Sequence, residues 1–159
     1  MKKIILMTLL LASVFTAAAQ SDAILQEIFD HVKTEGYVPK IDDEGDITFK
    51  VSGTGYWIKV YDSDSDGYYY IEMACQYRVK DTTLPEVQYA VNETNGGYKL
   101  AKVFYIQREG GEFSVRFEMS CFVTESAEFI KYFYRYLSCV ASADSGFFET
   151  LREKDTETE

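Results

Sequence analysis

Histidine and tryptophan each occur once in the 159 residues, and proline twice. The lone imidazole, His31, has no motif around it, so no nucleophile acquires a general base. No GxSxG, HExxH or phosphate-cradling glycine loop is present. The 26 acids create carboxylate pairs by chance alone, so a small carboxylate-based hydrolase is carried only as a third reading, with no constellation behind it. Cysteine is scarce and odd in number, at positions 75, 121 and 139, with no CxxC to make a thioredoxin-type redox site. Basic residues are outnumbered 26 to 16, and the net charge is −10. Such a surface repels phosphate backbones and anionic lipid, which sets nucleic acid aside as a partner. Together these shortages point away from an enzyme.

What is present begins with a targeting pattern. Lys2 and Lys3 precede the apolar run Ile4 to Ala12, and Ala17-Ala18-Ala19 supplies small residues for cleavage. The run is too short for a stable membrane span, so residues 1–19 read as a bacterial signal peptide with Gln20 as the mature start. The expectation is an exported, periplasmic or extracellular protein with no membrane insertion after signal removal. Loss of Lys2 and Lys3 with the segment takes the charge from −10 to −12. The remainder is one domain over residues 20–152, followed by an acid-rich polar tail, 153–159.

Hydrophobic periodicity then sets out the elements. Ser21 caps a helix whose stripe is Ile24, Leu25, Ile28, Phe29 and Val32, ended by Gly36. Tyr37 to Ile41 is extended, with Pro39 marking an edge or lead-in. Three alternating segments follow: Asp46–Val51, Tyr56–Tyr61 and the long Tyr68–Val79. Thr83-Leu84-Pro85-Glu86 is a capping box, and Asn95-Gly96-Gly97 stops the helix it opens. Tyr98–Gln107 and Glu112–Val123 form a hairpin across Gly110-Gly111. A last helix carries the stripe Phe129, Ile130, Phe133, Leu137 and Val140; Ser145-Gly146 is expected to break it, leaving Phe147, Phe148 and Leu151 on a further short turn. The result is α+β: one mainly antiparallel five-stranded sheet with helices on one face, in the order α-β-β-β-α-β-β-α. Cys75 and Cys121 fall on apolar strand faces and are expected to be buried and reduced.

The segments Glu35-Gly36-Tyr37-Val38-Pro39, Asp46-Ile47-Thr48-Phe49 and Ala90-Val91-Asn92, with Asn95 to Leu100, resemble the YbjN-like family. These bacterial proteins are labelled sensory transduction regulators and have a type III secretion chaperone-like fold. The resemblance runs from Asp22 to about Leu151 and rests on core and turn residues. It implies no catalytic residues. It implies binding of protein segments along sheet and helix surfaces, often as a dimer. The export signal departs from that pattern.

Two features carry binding readings. Asp62-Ser63-Asp64-Ser65-Asp66-Gly67 begins like a calcium loop, with Asp62, Asp64 and Asp66 as ligands, but its twelfth position is Met73 rather than Glu. The plainer reading is an acidic hairpin turn; the calcium-dependent envelope protein stands as the alternative function, and no other cofactor is expected. The second feature is aromatic. Trp57, Tyr61, Tyr68 and Tyr70 fall on the wet sheet face beside Arg116. Exposed rings beside charge mark contact surfaces, whereas tyrosine also suits any solvated strand. The preferred reading is a non-catalytic module that meets a protein or peptide partner, or a second copy of itself, on that face.

Overall fold

The computed structural model describes residues 22–62 and 67–157. The expected signal segment with its expected cleavage site, the expected cap Ser21, and Asp64 and Asp66 lie outside the described residues. Helix α1 spans residues 22–34 and buries Ile24, Ile28 and Val32. It ends as its sequence foretells. Gly36 turns to a φ of +90°, and Tyr37 N–H reaches back to the Val32 carbonyl at 3.3 Å.

Then come β1 (Lys40–Ile41), β2 (Ile47–Val51), β3 (Thr54–Asp62), β4 (Tyr69–Val79), α2 (Leu84–Gly97), β5 (Lys102–Gln107), a 3₁₀ turn (Glu109–Gly111), β6 (Phe113–Val123) and α3 (Ser126–Glu157). The strands lie in the order β1-β2-β3-β4-β6-β5, and every neighbouring pair is antiparallel. The α+β class is as expected, but the sheet has six strands rather than five. The addition is β1, where Lys40 and Ile41 pair with Thr48 and Ile47. It has only two residues, and Pro39 before it lacks the N–H that a longer ladder would use.

One face of the sheet is the core. Tyr69, Ile71, Met73, Cys75 and Val79 of β4 meet Phe113, Val115, Phe117, Met119 and Val123 of β6, all buried. Helix α3 lays Phe129, Phe133, Leu137, Val140 and Phe147 on them. Full burial of each such ring contributes roughly 1.5–3 kcal/mol, which makes this contact the main source of cohesion. His31 belongs to the same packing, edge-on to Phe133 with centroids 5.2 Å apart.

Two expectations about helix ends need correction. Helix α3 does not break at Ser145-Gly146 but continues through it. Glycine serves close approach there, because a Cβ on Gly146 would come within 2.7 Å of the Tyr98 hydroxyl. The backbone also stays helical to Glu157, beyond the expected start of the polar tail at 153, since Arg, Glu and Lys are good helix formers. Helix α2 ends at Gly97 as expected, and Asn95 does more than mark that end. Its amide nitrogen donates to the Val103 carbonyl and its oxygen accepts from the Val103 N–H, both at 2.9 Å. Asn95 thus stands in for a missing strand along the outer edge of β5.

Cys75 is buried as expected, whereas Cys121 is only half-buried. In the register, Cys75 faces Phe117, and Cys121 lies four residues further along β6. That offset is about 13 Å, too far for a disulfide. Burial pushes the Cys75 thiol up to about 12, which keeps it in the unreactive protonated form.

A polar link ties the sheet to α3. Tyr77 Oη donates to Asp144 at 2.6 Å and lies 3.0 Å from Thr54 Oγ1. Burial raises the Asp144 carboxyl, partly opposed by the Tyr77 bond. A carboxyl raised in the folded state favours folding at low pH, and that advantage is lost as pH climbs from its ordinary 3.8 through the raised value. Asp144→Asn retains an acceptor for Tyr77 without the charge. Urea titrations should therefore show the Asn variant matching the wild type at the acid end and exceeding it at neutral pH. A stability difference that does not vary with pH would refute this account.

Candidate functional site: the outer face of the sheet

With the helices on one side, the even-numbered residues of β4 and β6 and the odd-numbered ones of β3 face outward. The register arranges them in rows. Tyr61, Tyr70 and Phe122 form one; Lys59, Glu72 and Ser120 the next; Trp57, Ala74, Glu118 and Lys102 a third. Beyond these stand Gln76, Arg116 and Phe104, then Arg78, Ser114 and Ile106.

The middle of the face is closed upon itself. Arg116 bonds to Glu72 and reaches Glu118 at 2.9 Å. Its guanidinium lies 5.0 Å from the Trp57 ring centre, and Trp57 Nε1–H donates to Glu72 at 3.3 Å. Ala74, between Trp57 and Glu118, lets these long side chains lie flat and is itself fully covered. Glu72 is consequently only 5 % exposed on what is nominally the wet face. A carboxylate so enclosed is tolerable because a cation and an indole N–H satisfy it. Lys59 is engaged too, with Asp46 at 2.9 Å and Glu44 at 3.3 Å. The carboxylate at Asp46, with that at Glu44, holds its ammonium pKa up.

The aromatic row is different. Tyr61 and Tyr70 have centroids 5.6 Å apart, and Tyr70 and Phe122 5.2 Å. Phe122 is 70 % exposed and Tyr61 40 %. Tilted rings with exposed faces provide apolar area, and the two tyrosines add a hydroxyl each. At the opposite margin Phe104 and Ile106 are exposed as well.

Of the residues singled out from sequence, Tyr61 and Tyr70 come together as expected. Trp57 and Arg116 share the face but are spent on each other and on Glu72. Tyr68 does not join the row: it lies one position before β4, outside the ladder, and is exposed. Phe122 takes its place and escaped sequence reading. Its signal was available, since it is the one aromatic at an even position in β6. Among the proposed calcium ligands, Asp62 ends β3 opposite Tyr69, and Asp64 and Asp66 lie outside the described residues. Among the described residues no cluster of acids, histidines or cysteines is arranged to hold a metal ion, and no helix is long and apolar enough to cross a membrane.

No family model matches the sequence, and no curated protein matches it. Solved structures match the fold. The chain is similar to YbjN from E. coli, described as a candidate transcription regulator, with TM-score 0.60 and 11% identity over 75% of this chain and 86% of that one. It is also similar to an uncharacterized protein from Methanothermobacter thermautotrophicus, with TM-score 0.57 and 13% identity over 82% of this chain and 98% of that one. The architecture is therefore YbjN-like.

The central cluster makes its own prediction. Removing Arg116 leaves two carboxylates beside each other, one of them enclosed. Arg116→Ala should cost about 2 kcal/mol, less than a fully buried pair because the guanidinium is partly exposed. Adding Glu72→Gln to that variant should recover much of the loss, and Trp57 fluorescence should shift when the guanidinium leaves its ring. Equal melting midpoints for the wild type and Arg116→Ala would show that the cluster is not stabilising.

Proposed function

We propose that this chain is an exported, non-catalytic binding module whose outer sheet face contacts a protein partner, with the row Tyr61, Tyr70 and Phe122 as the point of contact. The observation that carries the reading is Phe122, 70 % exposed and packed at a tilt against Tyr70 within the paired ladder near one end of the sheet. Such rings each bury about 150–250 Å² in an interface, enough for a small aromatic cluster to anchor one. The YbjN-like fold supports an interaction role and assigns no chemistry. The word transcription attached to YbjN is not carried over, because a net charge of −10 opposes contact with DNA. Export rests on the pattern of residues 1–19.

The contact is tested by Tyr61→Ser with Phe122→Ser. Both rings are exposed, so the melting midpoint should change little, while one-to-one cross-linking to the partner, or to a second copy, should be lost. Trp57 is unsuitable for this test because its indole belongs to the Arg116 cluster. Retained cross-linking in a folded double variant would place the function elsewhere. Export has an independent readout: the protein recovered from the envelope or medium should begin at Gln20 by mass spectrometry, and recovery with Met1 intact would overturn it.

A further inference from the structure

The two edges of the sheet are treated differently. Along β5, the Asn95 side chain occupies the backbone groups of Val103. On the side of β2 away from β3, β1 covers Ile47 and Thr48, and among the described residues no strand pairs with Phe49, Lys50 and Val51 there. The chain before β1 does not run along them. Among the described residues no backbone hydrogen bond joins 36–39 to 49–51. A cleft of about 720 Å³ opens between the two segments.

Its chemistry is unusual for this chain. Tyr37, Phe49 and Tyr56 supply aromatic walls, with Tyr37 and Phe49 centroids 5.4 Å apart and Phe49 and Tyr56 5.8 Å. Two lysines, Lys40 and Lys50, line it, and no carboxylate does, although acids outnumber bases 26 to 16 overall. Both lysines are exposed, and neither forms an ion pair among the described residues. Their positions are related by the register. Lys40 is opposite Thr48, and Lys50 is two residues further along β2, so both side chains stand on the outer side about 7 Å apart. That is the interval between alternate side chains of an extended chain. Gly55, opposite Lys50 on β3, leaves the floor bare: a Cβ there would meet nothing within 4 Å.

We propose that the open edge of β2 is a strand-addition site for an extended acidic peptide of a partner protein. Two carboxylates at positions i and i+2 meet Lys40 and Lys50. The apolar side chain between them points to the opposite side, toward Tyr37, Phe49 and Tyr56. The peptide backbone continues the sheet where β1 stops, and main-chain bonds supply affinity while the lysines supply selectivity. This site is separate from the row at Tyr61, Tyr70 and Phe122.

The test uses an N-acetylated pentapeptide amide, Thr-Glu-Val-Glu-Thr, titrated into the full mature protein. Trp57, the sole tryptophan, lines the cleft and serves as the reporter. The expected result is saturable binding that weakens at least tenfold for Lys40→Gln with Lys50→Gln, and as much for the probe with Gln in place of Glu. A probe N-methylated on its central amides should not bind. Phe122→Ser should bind the probe as the wild type does, which separates this site from the sheet face. The proposal is overturned if the wild type shows no saturable change up to about 1 mM probe, or if the Gln probe or the N-methylated probe binds equally. It is also overturned if Phe122→Ser abolishes binding, or if sedimentation shows a second copy of the chain already occupying the edge.

Discussion

All three helices pack on one side of the sheet, and this constraint governs the rest. The core face is covered by α3 and its neighbours, so apolar side chains there need no further partner. The outer face has no covering layer, and each of its groups must be satisfied by neighbours in its own plane or by water. In the middle this happens through charge. Arg116, Glu72, Glu118 and Trp57 close over Ala74, and a buried carboxylate becomes tolerable because its partners are fixed by two adjacent strands. The polar cluster stiffens the sheet centre without a second layer. The cost is that its charged groups are already engaged with one another.

The side chains left open are thereby displaced to the margins. The aromatic row stands where β3, β4 and β6 run toward one end of the sheet, and the cleft stands along the β2 edge. The two differ in kind. The row offers exposed, mutually tilted aromatic rings. The cleft offers unpaired backbone and two lysines, suited to an extended segment. An open edge in an otherwise protected sheet is a liability unless something pairs with it, and the other edge shows that this fold has a means of protection available. Asn95 provides it there with a single side chain.

The alternation of β4 and β6 made the core face readable, because period-two burial leaves little freedom once one face is apolar. The same rule would have found Phe122, had the even positions of β6 been read as strictly as the odd ones. Trp57 and Arg116 were placed on the right face, but their engagement with each other was not foreseen. Their spacing in the chain says nothing of a mutual contact that depends on a third residue, Glu72, from the strand between them. Gly146 misled for a related reason. Locally it is a helix breaker, and only the approach of Tyr98 from another part of the chain explains why it sits inside a continuous helix.

Sequence by itself determined the class of the fold, the order of its main elements, the turns and the sign of the surface charge. Each of these follows from local periodicity, local backbone preference or a sum over residues. Tertiary structure alone decided which outward side chains remain open, that Cys75 and Cys121 lie too far apart to pair, and that one sheet edge is clamped while the other gapes. Those are relations between residues distant in the chain, set by strand register and by the path of the segment before β1, and no local preference encodes them.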